Sequence, residues 1–118
     1  MAKAKQLIIA VAYHPGTIAG AIRELAGAKV NILAIVGWNP AGVIQLVTDN
    51  PRVAKKALDA AQISYTEAAA EIVDLPNKPG ALLQYLDKLA KKNVNLRLLY
   101  ATTSKSARKA TVVWAAEG

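Results

Sequence analysis

Cysteine and phenylalanine are absent from this chain of 118 residues, and histidine occurs once, as His14. Without cysteine there is no disulfide, no thiolate nucleophile and no thiolate metal site. No pair of carboxylates stands beside a base or a metal-ligand set that would support catalysis. The sequence also contains no phosphate-binding loop motif. We therefore predict a protein that is not an enzyme and that uses neither a metal ion nor a cofactor.

Acidic residues are few, with 8 Asp and Glu against 15 Lys and Arg, for a formal net charge of +7. Such an excess favours nucleic acid as a partner, although an ordinary soluble protein with a basic surface is the simpler interpretation. No apolar run reaches the roughly 18 to 20 residues that cross a bilayer. The first apolar run is not followed by a small-residue cleavage site. We interpret it as a strand, and the protein as cytoplasmic without a membrane segment.

Apolar residues make up 53% of the chain, enough for a core in one domain or two very small ones. Their spacing predicts the order βαββαβ, followed by βαββ. The apolar faces of the first and third helices are predicted at Ile18, Ile22 and Leu25, and at Leu82, Leu86 and Leu89. The predicted strands are residues 7–13, 30–38, 42–48, 63–68, 71–75, 94–101 and 109–115, and the predicted helices are residues 17–28, 51–62 and 81–92.

The second half of the chain repeats the first at a fixed offset of 64 residues. Pro15-Gly16 recurs as Pro79-Gly80, and Val30-Asn31-Ile32 recurs as Val94-Asn95-Leu96. The apolar helix positions recur in the same register without a gap, which indicates an internal duplication. We predict one unit over residues 1–69 and a second, over residues 70–118, that lacks the last helix and strand.

Each unit places a Pro-Gly pair between its first strand and its first helix. We call residues 12–18, AYHPGTI, the first corner and residues 75–83, LPNKPGALL, the second corner. Proline fixes φ and glycine permits backbone that other residues resist, so the pair sets the direction in which the helix leaves. The first N–H groups of a helix have no internal acceptor and lie at the positive end of its dipole. A carboxylate or phosphate can bind there, although a purely structural turn is the alternative.

Asn31 and Asn95 open the second strand of each unit. In a βαββ unit, the start of that strand lies at the far end of the helix from the corner. We therefore expect each Asn in the loop after the helix, where asparagine tolerates left-handed backbone. Either can approach a corner only across an interface with another unit.

The order of these features resembles the ACT domain family, in which an apolar strand, a Pro-Gly loop, an amphipathic helix and an apolar-Asn-apolar triplet follow one another. EIVDLPNKPGALLQYLDKLAKKNVNLRLLYAT matches that pattern well, and VAYHPGTIAGAIRELAGAKVNILAIVG matches it more loosely. The resemblance implies an α+β, ferredoxin-like βαββαβ sandwich, duplicated, with the second unit truncated to βαββ. It also implies a homodimer that binds an amino acid or similar small carboxylate between units and regulates an enzyme of amino-acid metabolism.

The resemblance further implies which residues meet the ligand. The two corner glycines would let it approach the backbone, and side chains beside them would contact its carboxylate. The candidate ligand-binding residues are Asn77, Lys78, Pro79, Gly80, Ala81, Leu82 and Asn95 in the second unit, and His14, Gly16, Thr17, Ile18 and Asn31 in the first. His14 departs from the more usual Asn, Asp or Arg, so the second corner is the better candidate.

The missing helix and strand would leave apolar sheet surface uncovered in the second unit. We expect either that another chain covers it or that the last strand of the first unit is shared. Two other functions are open: a basic ferredoxin-like nucleic-acid-binding protein, and an assembly scaffold with a degenerate site. RNA-recognition modules of this topology stack bases on strand aromatics. Because no strand here has such a run, nucleic acid is not expected as a partner.

Overall fold

The computed structural model of the chain describes residues 2–12, 15–38 and 42–117. The chain divides into a first body, Lys5–Ala68, and a second body, Met1–Ala4 with Ala69–Gly118. The assignment of residues 1–69 and 70–118 to two ACT-like units stays a prediction. The elements are β1 (Ala2–Ala10), α1 (Thr17–Gly27), β2 (Ile32–Trp38), β3 (Val43–Thr48), α2 (Pro51–Ala60), β4 (Tyr65–Pro76), α3 (Ala81–Lys91), β5 (Leu96–Thr102) and β6 (Lys109–Ala116).

The first body is a βαββαβ unit with the strand order β2-β3-β1-β4. Strand β3 pairs antiparallel with β1 and β2, and its register places Leu46 opposite Leu7. Because directly opposed residues of antiparallel strands share a face, these side chains lie on one side of the sheet. Leu25 of α1 and Leu58 of α2 pack against that side, and all four leucines are at most 1% exposed.

In the second body, β6 pairs antiparallel with β4 and with β5. The register places Glu71 and Leu99 opposite Trp114 on one face. Helix α3 packs on this face, where the rings of Tyr85 and Trp114 have centroids 6.5 Å apart. Among the described residues α3 is the single helix of this body, whereas the first body has two. The predicted α+β class and ferredoxin-like βαββαβ unit are confirmed, although the whole chain has the order βαββαβαββ, with one strand fewer than predicted.

The prediction of separate strands at residues 63–68 and 71–75 is wrong. Strand β4 runs without interruption from Tyr65 to Pro76. The intervening Ala69-Ala70 contains no glycine, proline or other turn residue that would end a strand. The strand that ends the first predicted βαββαβ repeat is therefore also the strand that begins the second repeat. Strand β1 similarly starts at Ala2 rather than at residue 7, and its predicted end at Tyr13 lies outside the described residues.

The first position of each predicted apolar helix face is also wrong. Ile18 is 45% exposed and Leu82 is 40% exposed, whereas Leu25 and Leu89 are buried as predicted. Both exposed side chains lie within a corner, in the first turn of the helix that begins there. The duplicated positions thus leave apolar surface open at equivalent places.

Backbone geometry repeats at the offset of 64 residues. Gly16 has φ 89° and Gly80 has φ 87°, and each is the N-cap of its helix. Strands β2 and β5 carry a register shift at equivalent positions, after Ile32 and after Leu96. The duplication read from the sequence is therefore present in the backbone.

All three helices end in the same way. The residue after each C-cap has left-handed backbone, with φ 61° at Lys29, 59° at Gln62 and 61° at Asn93. The N–H of the following residue donates to the carbonyl five positions earlier at 2.9 to 3.0 Å, which is the Schellman motif. The expectation of left-handed backbone at Asn31 and Asn95 is wrong. The left-handed residue lies two positions earlier in each case, at Lys29 and Asn93.

Candidate ligand-binding corners

The second corner presents an open backbone at Gly80. This residue caps α3 without any side-chain cap, and a Cβ built on it would meet no described atom within 4 Å. Gly16 has the same surroundings in the first corner. Pro79 is exposed beside Gly80, and Ala81 is buried beneath it. Glycine is therefore required here by its positive φ and not by crowding.

The first turn of α3 offers N–H groups to a ligand. The first helical bond runs from the N–H of Gln84 to the carbonyl of Gly80, at 3.0 Å. Within residues 2–12, 15–38 and 42–117, the N–H groups of Leu82 and Leu83 have no acceptor. This turn has no acidic side chain, and Lys78 is exposed beside it. The free N–H groups, the helix dipole and the ammonium group together favour an anion.

Asn77 faces the turn between β5 and β6, residues 103–108, which we call the hairpin tip. Its Nδ2 donates to the carbonyls of Ser104 at 3.1 Å and Ala107 at 2.9 Å. Its backbone N–H donates to the carbonyl of Arg108 at 2.9 Å. The two side-chain bonds use both amide protons and leave Oδ1, which can only accept. The contact of Asn77 with a ligand carboxylate stays a prediction, and the geometry favours Lys78 for that contact.

The first corner differs in its side chains. The hydroxyl of Thr17 donates to the carbonyl of Ala12 at 2.7 Å, so it bridges the ends of the corner. His14 lies outside the described residues. Residues 12–18 contain no Lys or Arg. The first corner therefore repeats the open glycine of the second without its fixed positive charge.

Asn31 and Asn95 lie at the opposite ends of the helices from the corners. The backbone N–H of Asn31 donates to Asp49 Oδ1 at 3.0 Å, and the N–H of Asp49 donates to the carbonyl of Asn31 at 3.0 Å. Asn95 pairs similarly with Glu117, whose N–H donates to its carbonyl at 2.7 Å. Helix α3 has 11 residues, so about 16 Å of helix separates Asn95 from Gly80. Within one body, neither Asn reaches a corner.

A cavity of about 480 Å³ lies in the first body at the end of α2, lined by Asp59, Gln62, Ile63, Ser64 and Tyr65. Partial burial and a hydrogen bond with the Asp59 carboxylate raise the pKa of the Tyr65 hydroxyl. None of the candidate residues from the sequence lines this cavity. The sequence does contain one signal for this cavity. Asp59 is an acidic residue in the last turn of α2, where the helix dipole disfavours a negative charge.

Comparison with solved structures identifies the fold. Protein BT0572 from Bacteroides thetaiotaomicron aligns with a TM-score of 0.88 at 25% identity, over 98% of this chain and 81% of that one. The ligand-free regulatory subunit of aspartate kinase from Thermus thermophilus aligns with a TM-score of 0.67 at 18% identity, over 95% and 82%. The corresponding subunit from Thermus flavus gives 0.63 at 19% identity, over 95% and 82%. The chain has the ACT-domain fold.

No protein-family model matches the sequence, and no curated protein sequence matches it either. The ACT fold is thus recognised through the backbone and through the short repeated motifs at the corners and strand starts. Sequence similarity to the three structures is low, at 25% identity or less.

Neither a metal-binding group nor a membrane-spanning helix is found in the described part of this ACT fold. No group of three or more His, Cys, Asp or Glu side chains is placed to hold a metal ion within it. None of its helices is long and apolar enough to cross a membrane. The fold does offer two corners with the same open glycine, of which the second lies beside Lys78.

Proposed function

We propose that this chain is a regulatory module without catalysis of its own, which binds an amino acid or a similar small carboxylate at the second corner. The observation that carries the proposal is the open backbone at Gly80, next to the N–H groups of Leu82 and Leu83 that have no acceptor among the described residues. A ligand carboxylate would accept hydrogen bonds from these groups. It would also pair with the ammonium group of Lys78.

The rest of the binding site is proposed to come from a second copy of the chain. Leu82 is 40% exposed and Leu83 is 63% exposed, in the turn that would receive the carboxylate. Large apolar side chains left open beside a polar site mark a surface that another surface covers. A homodimer would bury them against the apolar part of the ligand. Ile18 is exposed equivalently in the first corner, so both corners can take part.

The structural neighbours support a regulatory role. Two of them are regulatory subunits of aspartate kinase. We therefore propose that the regulated partner is an enzyme of amino-acid metabolism, in the cytoplasm. The same reasoning makes the module itself non-catalytic, with the reaction carried out by its partner.

A matched pair of glycine variants tests the site. Gly80→Ala and Gly16→Ala place a methyl group on backbone of nearly the same φ, 87° and 89°, with no described atom within 4 Å of either. Left-handed strain costs each variant about 1–2 kcal/mol, so their stability losses should match. Calorimetry and thermal shift with each standard amino acid then measure binding. Loss of binding in Gly80→Ala alone would support the second corner as the site.

Several outcomes would contradict this proposal. A ligand that binds the wild type and both variants with equal affinity would place the site away from the corners. If no amino acid gives heat or a thermal shift, the ligand class is wrong and the assembly scaffold becomes the better function. A stable monomer in sedimentation at micromolar concentration would exclude the homodimer.

A further inference from the structure

Four cations lie at one end of the second body, around the second corner and the hairpin tip. They are Lys78, Lys105, Arg108 and Lys109, and all four side chains are exposed. Asn77 joins the two segments through three hydrogen bonds of 2.9 to 3.1 Å to the hairpin tip. Lys78 is the next residue after Asn77, and Lys109 is the cross-strand partner of Pro76. The four residues therefore stand on two backbone segments that hydrogen bonds join.

None of these cations has a carboxylate partner among the described residues. The ion pairs found there join Glu67 to Lys5 and to Lys55, all in the first body. Asp74, the single acid in residues 74–80 and 103–111, accepts a hydrogen bond of 2.9 Å from the hydroxyl of Thr111. The second body has nine Lys and Arg against four Asp and Glu, for a net charge of +5, and the first body has six against four, for +2.

The duplication shows that the fold does not require this charge. In the sequence, residues 10–16 and 39–43 take the equivalent places in the first body, and they contain no Lys, Arg, Asp or Glu. The matching segments of the second body, residues 74–80 and 103–111, carry four cations and one acid. Mutual repulsion of these cations opposes folding. Their concentration at one end therefore points to an anionic partner.

We propose that this end of the second body binds the phosphate backbone of a nucleic acid, an activity that goes beyond the proposed ligand binding and shares Lys78 with it. The four cations stand on two exposed loops and at the start of β6, rather than around a cavity. Sites for small molecules are usually concave, whereas a chain of phosphates can meet exposed charges on neighbouring segments. Lys and Arg that neutralise phosphates release counterions, which is the main source of sequence-independent affinity.

The aromatic residues of this body indicate that bases are not recognised. Trp114 is 6% exposed and forms a ring contact with Tyr85. Tyr100 is half-buried, and this burial raises its pKa to about 12. Binding of single strands through their bases relies on exposed stacking aromatics. Recognition here is therefore electrostatic and independent of base sequence.

Fluorescence anisotropy with a labelled DNA duplex and a labelled single strand, each in two unrelated sequences, tests the proposal. Four phosphate contacts predict a slope of log K against log salt of about −3.6 for the duplex and about −2.8 for the single strand. The double variant Lys105→Gln with Arg108→Gln should reduce the magnitude of that slope by about two. The matched control, Lys91→Gln with Lys92→Gln, makes the same charge change on exposed residues at the opposite end of α3.

Retention of the wild-type slope and affinity in the control, with loss in the first double variant, would support the proposal. Equal losses in both would show a response to net charge alone and would overturn it. Absence of wild-type binding at about 50 mM salt would also overturn it, as would a preference for one base sequence. Vesicles containing phosphatidylglycerol form the last arm. If they bind the wild type and DNA does not, the surface belongs to a membrane and the proposal is wrong.

Discussion

The indole of Trp114 donates a hydrogen bond of 2.7 Å from Nε1 to the hydroxyl of Tyr85, and their rings meet edge to face at 61°. Trp114 lies in β6 and Tyr85 in α3, so the pair joins the sheet of the second body to its helix. The ring contact adds to the area that both side chains bury. The hydrogen bond also provides an acceptor for an indole N–H that is otherwise removed from water.

We expect Tyr85→Phe to lower the free energy of unfolding by about 1–3 kcal/mol, because the buried indole N–H loses its acceptor. Urea denaturation measures this loss. Trp114→Phe removes the donor, so it should cost less in the Tyr85→Phe background than in the wild type. The difference, a coupling of about 0.5–3 kcal/mol, isolates the pair. Strictly additive losses would contradict the contact.

Asn77→Ala removes both side-chain bonds to the hairpin tip. We expect a loss of about 1–3 kcal/mol in the free energy of unfolding, since two hydrogen bonds of about 0.5–1.5 kcal/mol each are removed. Hydrogen exchange should show faster exchange in residues 103–108. Asn77→Asp should cost more than Asn77→Ala, because a carboxylate cannot donate and would face two carbonyl oxygens.

The Asn77 variants also separate a structural role from direct ligand contact. If Asn77 contacts the ligand and holds nothing, Asn77→Ala should reduce ligand affinity without any change in exchange of the hairpin tip. Unchanged exchange in both variants would exclude the bonds described here. Lys78→Ala is the reference for direct ligand contact: it should reduce ligand affinity without changing exchange of the hairpin tip, because its exposed side chain makes no described contact with the tip.

The duplicated fold could be predicted because its landmarks are local. The Pro-Gly pairs that end at Gly16 and Gly80 mark the starts of two helices. The same separation of 64 residues relates these pairs and the apolar positions that follow them. The boundary within β4 could not be located in the same way. Alanine at residues 68–70 is compatible with a strand or a loop, so pairing with neighbouring strands decides the conformation there.

The candidate site was predictable only in its local part. Gly80 and Lys78 stand at a helix entrance, as their place in the sequence indicates. The use of Asn77 was not predictable, because its two side-chain acceptors lie 27 and 30 residues away along the chain. The cavity beside Asp59 was missed for a similar reason, since its lining residues form no recognisable motif. Contacts made by tertiary folding thus decide which corner side chains remain free.

Lys29→Gly should stabilise the protein. Lys29 has φ 61°, a conformation that costs a non-glycine residue about 1–2 kcal/mol. Glycine avoids that strain and loses about 0.5–1 kcal/mol through chain entropy, so a gain of up to about 1.5 kcal/mol is expected in thermal or urea denaturation. Lys56→Gly, in the interior of α2, is the control and should lose about 1 kcal/mol. A loss of stability in both variants would contradict the argument.

The stability of the protein should fall at high pH because of Tyr100. Burial raises its pKa from the ordinary value of 10 to about 12. Between those values the unfolded chain releases the proton while the folded protein keeps it, so the contribution is fully present below pH 10 and is lost as pH rises toward 12. Tyr100→Phe cannot ionise, and its unfolding free energy should decline less over this range. Urea denaturation of both proteins across this range, with absorbance titration of the phenolate, measures the effect. Parallel curves and an ordinary tyrosine pKa would show that Tyr100 is open to water in the folded protein.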